Sequence, residues 1–432
     1  MSMNKEILRL AIPNILSNIS IPLMSTTDTV LMGHLSGLHL GAVGIAAMIF
    51  NFLFWNFGFL RMSTTGLTAQ AFGKEEEKSM SNAFYRAILT SLIIGILLLV
   101  LWQPIWTISA QLLDISDQHY DISKNYFIIR MLSGPATLGL MVMLGFYFGM
   151  QNAFIPLLIT ITINVINIVV SIVLVVWLKM EETGVALGTT IAQYVGLLAG
   201  GIILYVKYPF LKNLLPLKEI LNKLEMKRFL HLNKDIFIRT LCLTSVFAFF
   251  YRQSSGAGEF VLATSVILLQ FLNWMSYGVD GFAHAAESLT GKYYGKADIP
   301  TLNKSIRNSF LWGGLLAAGY SLIYFIGGKY LVQLFTSDYA AIQETMKYYF
   351  WVIILPIAGF GSYIWDGIFV GLTASKSMRN SMVLSFIAFI TAFLLSRSLP
   401  GIHGLWLSLM VFLMMRGLVQ TWLFLRLKHS IK

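Results

Sequence analysis

Twelve runs of apolar residues follow one another along the chain, each about as long as a bilayer core is thick, and this repetition limits the fold more than any other feature. A transmembrane helix needs about 20 predominantly apolar residues. Breaks at Gly, Pro and charge place the runs at 8–32, 40–68, 84–106, 126–149, 155–178 and 184–206, then at 233–252, 259–286, 306–328, 347–371, 378–397 and 404–425. Of the 432 residues 56% are hydrophobic and 12% charged, about half the charged share of a soluble domain. A soluble globule of this size cannot hide so much apolar surface, and exposing it brings aggregation. Disorder is excluded too, because it needs low hydrophobicity. The sequence predicts an all-α polytopic membrane protein with twelve transmembrane helices in two six-helix pseudo-symmetric lobes around a central cleft.

The longest polar interruption, 207–232, divides the runs six and six. We expect an N-lobe over 1–206, a cytoplasmic linker over 207–232, and a C-lobe over 233–432. From Leu217 to Leu230 apolar residues recur at helical spacing, which predicts an amphipathic helix on the membrane surface. The halves look duplicated. One constant shift carries Asn51 onto Asn273, Leu67-Thr68 onto Leu289-Thr290, Gly73-Lys74 onto Gly295-Lys296, Tyr126 onto Tyr348 and Gly149 onto Gly371. Six helices per half make the repeats parallel about an axis along the membrane normal.

Lys and Arg set the orientation. With both termini in the cytoplasm, that side carries 22 Lys/Arg, against six on the other side: Lys124, Lys179, Arg252, Lys329, Lys347 and Arg397. Arg61, Arg130 and Arg416 fall inside spans. This bias accounts for the net charge of +11 and leaves no need for a nucleic-acid partner. The basic stretch from Lys207 to Arg239 reads as a solvated face that fixes topology. The single cysteine, Cys242, excludes an internal disulfide and any multi-cysteine metal site.

A carboxylate at membrane depth costs several kcal/mol, so it usually faces a wet cavity and has a function. Asp28, in the last third of the first run, is the foremost candidate. Desolvation makes such an acid ready to take up a proton near neutral pH, and a gradient can then drive it. Asp280 and Glu287, seven residues apart on one helix face, and Asp366 also qualify. For these three a structural pairing with Arg61, Arg130 or Arg416 stays open. Pro13 and Pro22 remove backbone hydrogen bonds from the first helix and permit a kink. Asn164, Asn167, Ser171, Thr189 and Thr190 put uncharged polar groups in the fifth and sixth runs, where helix packing is the ordinary reason for them. The wealth of Met and aromatic residues could in part line a cavity for organic cations.

Enzyme signatures are missing: there is no Gly-x-Ser-x-Gly, no Walker A loop and no His-Glu-x-x-His. None of the seven His pairs with another at i, i+4, so no metal is expected. The reading is therefore no enzyme and no cofactor, with transport powered by an ion gradient.

The segments Leu60-Arg-Met-Ser-Thr-Thr-Gly-Leu-Thr-Ala-Gln-Ala-Phe-Gly73, Asp280-Gly-Phe-Ala-His-Ala-Ala-Glu287, Asp366-Gly-Ile-Phe-Val-Gly371 and Met378-Arg-Asn-Ser-Met382 resemble the DinF branch of the multidrug and toxic compound extrusion (MATE) transporters. The resemblance covers essentially the whole chain. It implies secondary active export of organic, cationic or amphipathic compounds by cation antiport through alternating access. It implies a monomer in the inner membrane of a prokaryote whose partners are small molecules and the bilayer. It makes Asp28 the coupling acid and Pro13 the hinge that bends on protonation. Asn167 and Thr189 match an Asn and a Thr that the family sets beside that acid. A second Asp of the family pattern falls on Ser171, and the loss of that carboxylate favours protons over sodium as the coupling ion. The alternatives are a sodium-coupled exporter and, through the intramembrane arginines, a flippase for lipid-linked precursors.

Overall fold

The computed structural model describes residues 2–213 and 216–431, without the side chains of 21, 23–25, 259 and 428–431. Residues 214 and 215 of the expected linker lie outside the described residues. The chain runs α1 Met3–Leu35, α2 Gly37–Trp55, α3 Phe59–Gly73, α4 Glu77–Val100, α5 Trp102–Leu112, α6 Asp117–Leu132, α7 Gly134–Gly149 and α8 Phe154–Ile172. It continues through α9 Glu181–Lys207, α10 Leu217–Ile220, α11 Lys223–Gly256, α12 Glu259–Gly295, α13 Ile299–Val332, α14 Tyr339–Gly371, α15 Ser375–Leu395 and α16 His403–Ile431. Among the described residues there is no β-strand, as lipid requires of a chain that satisfies its backbone within each segment.

Among the described residues nine helices are long and apolar enough to cross a membrane, counting α2 with α3, and α8 with its π-helical extension Val173–Trp177, as single spans. The pair α6 and α7, bent by 47°, makes a tenth. Helices α1 and α11, 33 and 34 residues long, are more polar but reach about 50 Å at 1.5 Å per residue. With them the spans among the described residues number the expected twelve. The bend between α6 and α7 has a local cause. Pro135 stands in the first turn of α7, where its ring disfavours a helix running in from Leu132. Gly95 of α4 makes room for it, since a Cβ there would lie 2.9 Å from the Pro135 Cα.

The duplication read from the sequence recurs in atomic packing. Gly145 of α7 lies against the Arg61 carbonyl oxygen of α3, and Gly367 of α14 lies against the Ala283 carbonyl oxygen of α12. One turn on, a Cβ at Gly149 would sit 2.5 Å from the Thr68 Cβ, and one at Gly371 would sit 3.0 Å from the Thr290 Cβ. The shift that aligns Gly149 with Gly371 carries each member of the first crossing onto its counterpart in the second. Small residues one turn apart let two helix backbones touch, which is how helices associate in lipid.

By contact the chain forms two compact units, Leu16–Leu230 and Met1–Ile15 with His231–Lys432. The sequence reading puts all of α1 in the N-lobe, whereas its part up to Ile15 packs within the second unit. There Glu6 receives Tyr293 Oη at 2.7 Å and Lys292 Nζ at 3.3 Å, and Asn308 Nδ2 donates to Asn4 Oδ1 at 2.8 Å. In the first unit Ser17 Oγ donates to Thr160 Oγ1 at 3.0 Å, and Asn164 Nδ2 donates to the Ser20 carbonyl at 2.9 Å. The assignment of α1 changes between Ile15 and Leu16, two residues after Pro13, where the missing N–H leaves the Arg9 carbonyl without its helical donor.

The expected surface helix from Leu217 to Leu230 is instead one turn, α10, followed by the opening of α11. Arg86 Nε of α4 donates to the Ile220 carbonyl at 2.9 Å and Lys78 Nζ pairs with Glu219 at 2.7 Å, so the turn is tied to α4.

Candidate ion-coupling site

Helix α8 presents Asn164, Asn167 and Ser171 on its buried face, at spacings of three and four residues. Helix α9 meets that face through glycines. A Cβ at Gly184 would come to 3.0 Å from Val175 Cγ2, and one at Gly188 would overlap Ser171, whose N would lie 2.9 Å away. The close approach lets Asn167 Nδ2 donate to Thr189 Oγ1 at 2.9 Å, with Ser171 Oγ at 3.5 Å. The Thr189 hydroxyl donates in turn to the Val185 carbonyl at 3.1 Å. Its oxygen can then only accept from the amide, so Asn167 turns its Nδ2 toward Thr189 and its Oδ1 elsewhere.

Asp28 of α1 faces Asn167 and Thr189 and lies in the field of Arg130 from α6. Its Oδ1 and the Asn167 Oδ1 are both buried acceptors with no hydrogen-bond donor. The Asn167 side chain serves the Asp28 carboxylate, so Asp28 Oδ1 is the position left open for a proton or a cation. Arg130 stacks on Phe50 with its guanidinium carbon 4.1 Å from the ring centroid, and its Nη1 donates to Ser133 Oγ at 3.4 Å. Tyr126, one turn before Arg130 on α6, is buried and lies close to both Arg130 and Asp28. The residues singled out in the sequence, Asp28, Asn167, Ser171 and Thr189, therefore meet in one place. Pro13 stands fifteen residues earlier on α1, in the other unit.

Asp366 has a different setting. Its carboxylate receives Arg239, Arg416 Nη2 at 2.7 Å and Gln420 Nε2 at 2.6 Å, all buried. Asp280 acts on Arg239, and Tyr363 lies among Asp280, Asp366, Arg239 and Arg416. Of the two roles left open for Asp366, the structural pairing with Arg416 is the one observed. Arg239 corrects the sequence reading. It does not sit on a solvated basic face but is 8% exposed and bonded to Asp366. Glu287 is also buried, and its carbonyl forms part of the α12 surface that receives Gly371. The Arg61 backbone meets Gly145, and its guanidinium carbon stands 5.9 Å from the Phe148 ring centroid.

The sequence profile of the MatE family matches the chain twice, over residues 13–173 and 236–396. The chain belongs to the MatE family. The double match repeats the duplication seen in the glycine crossings. The chain is 35% identical over 427 residues to DNA damage-inducible protein F of Escherichia coli (strain K12), covering 96% of this chain and 91% of that protein. It is 21% identical to a probable multidrug resistance protein NorM of Thermotoga maritima, covering 98% and 92%. Its fold matches a crystal structure of MATE in the straight conformation with a TM-score of 0.89 at 18% identity, covering 100% of this chain and 97% of the other. A Vibrio cholerae MATE transporter in the bent form matches at 0.88 and 18% identity, covering 100% and 98%. The MatE assignment makes the chain a membrane transporter, in keeping with its twelve spans.

Proposed function

We propose that this protein is a secondary active multidrug exporter of a prokaryotic inner membrane, with both termini in the cytoplasm, that moves organic cationic or amphipathic compounds outward in exchange for protons. The observation that carries the coupling step is the unserved buried acceptor Asp28 Oδ1. One proton on Asp28 Oδ1 removes the unserved charge without needing any further ligand. A sodium ion needs several oxygen ligands and compensating negative charge. Here Asp28 is the single carboxylate, Ser171 stands where a second could be, and the Arg130 guanidinium already supplies positive charge nearby. The name of one relative, a probable multidrug resistance protein NorM, agrees with export. The flippase alternative loses two of its three arginines, since Arg416 pairs with Asp366 and Arg130 stacks on Phe50.

The cycle that follows is proton uptake at Asp28 from outside, bending of α1 near Pro13, release of compound, reorientation, and loss of the proton inside. The test is efflux of a cationic dye from proteoliposomes under an imposed pH gradient and, separately, an imposed sodium gradient. The wild type should respond to the pH gradient alone. Asp28→Asn should lose at least about 90% of that flux while melting in micelles at the wild-type temperature. Wild-type flux in Asp28→Asn, or a response to the sodium gradient alone, overturns the proposal.

A further inference from the structure

On the side of the membrane away from the termini, the first turns of α2 and α9 bring three groups together that no local sequence pattern links. His39 Nε2 lies 3.4 Å from Glu181 Oε2 and 3.7 Å from Glu182 Oε2. One ligand atom from each residue falls within 4.8 Å of the others. We propose that His39, Glu181 and Glu182 form a binding site for a divalent transition-metal ion, zinc above all, independent of the Asp28 coupling site and of the transport reading.

The spacing is the first argument. A hydrogen bond from an imidazole to a carboxylate spans 2.7–3.2 Å, and both distances are longer than that. Zinc binds imidazole nitrogen at 2.0–2.1 Å and carboxylate oxygen at 2.0–2.2 Å, so tetrahedral ligand atoms stand about 3.3–3.5 Å apart. Two of the three separations already lie near that value, the third is within 4.8 Å, and water can take the fourth corner.

The second argument is how the ligands are held. Ser36 caps α2, and its Oγ accepts from the His39 backbone N–H at 3.2 Å and lies 2.8 Å from His39 Nδ1. When Nδ1–H donates to that oxygen, the ring is fixed in one orientation and the Nε2 lone pair faces the glutamates. This is the outer-shell support that metal-ligating histidines carry. Glu181 holds a left-handed backbone (φ 46°), as does Lys179 (φ 55°), and this turn sets two successive carboxylates on one point.

The third argument is Glu182 itself. It is 7% exposed, and among the described residues the charged partner of both glutamates is His39. Two carboxylates set against one imidazole leave net negative charge at the start of α9, and a divalent cation offsets it. The nitrogen ligand selects zinc over calcium or magnesium, which take oxygen. The ion would tie α2 to α9 two turns above Thr189, on the face of α9 that meets Asp28.

The test uses the full chain in detergent micelles, freed of any polyhistidine tag and stripped by a chelator, then titrated with zinc against a chromophoric chelator. Cobalt provides the spectroscopic check. The wild type should bind one zinc, and the cobalt form should show the intense visible bands of a four-coordinate site. His39→Ala and Glu182→Gln should each weaken binding at least 100-fold. Ser36→Ala, which keeps all three ligands, should weaken it about tenfold. Asp28→Asn should bind as the wild type does, which separates this site from the coupling acid and controls for folding. Zinc binding equal in wild type and in the His39→Ala, Glu182→Gln double variant, or a six-coordinate cobalt spectrum unchanged by both substitutions, overturns the proposal.

Discussion

Replacing Asp366 by Asn should unfold this protein more readily, whereas the same change at Asp28 should not. In the wild type two buried guanidiniums, Arg239 and Arg416, converge on one carboxylate, and Gln420 donates to its second oxygen at 2.6 Å. Asparagine keeps the shape but removes the negative charge bonded to both arginines, so the charge of this trio rises from about +1 to about +2. Asp280 also acts on Arg239 and offsets part of this. Breaking a buried ion pair from one side costs about 3–5 kcal/mol, because the partner is left charged in a poor solvent. For a chain this long that is a fall of roughly 5 °C in melting temperature, by extension of the size scaling for smaller domains. The assay is thermal unfolding in micelles, followed by loss of the monodisperse peak on size exclusion. A second variant isolates the pair. Arg416→Leu with Asp366→Leu should cost less than the two single changes added together, because Asp366→Leu alone strands Arg416 beside Arg239 and the double change removes one of those two cations. The reasoning fails if Asp366→Asn melts within a degree of the wild type yet has lost efflux, because Asp366 would then be a working acid rather than a counter-ion.

Two further outcomes bear on the helix crossings and the hinge. Gly367→Ala forces a Cβ onto the Ala283 carbonyl of α12, whereas Gly201→Ala meets nothing within 4 Å. The first should lower the yield of folded protein several-fold, and the second should leave it unchanged or raise it, since Ala favours a helix interior by about 1 kcal/mol over Gly; equal yields would show that the α12–α14 crossing has slack. Pro13→Ala restores the donor for the Arg9 carbonyl and removes a helix-breaking cost of about 3 kcal/mol. It should keep the fold and slow gradient-driven dye efflux several-fold, and wild-type efflux in that variant would clear Pro13 of any hinge role.

What could be read before the structure divides along a physical line. Spans and duplication are written in runs of twenty residues and in glycines at fixed positions, because lipid imposes length and close helix crossings impose small residues. Both signals are local, and both recur in the structure, down to Thr68 and Thr290 beneath Gly149 and Gly371. Asp28 and Asp366 show what local signals leave out. Each is a lone acid in an apolar run, and in one dimension nothing separates them. Their partners do: Asp28 has the amide of Asn167 and a more distant Arg130, whereas Asp366 has Arg239 and Arg416 from helices on either side of it in sequence. Arg239 was hidden for a related reason. It closes a basic stretch whose other members serve topology, and only the packing of α11 against the α14–α16 pair turns its side chain inward. The His39 cluster goes further, because its three side chains come from two helix starts far apart in the chain, which His-to-His spacing does not register. An acid at membrane depth therefore takes its role from whether a cation is built in beside it. Where one is bonded to it, as at Asp366, the charge is fixed and the group holds the fold. Where the bonding positions are left open, as at Asp28 Oδ1, the charge is free to change, and that freedom is what coupling to a gradient requires.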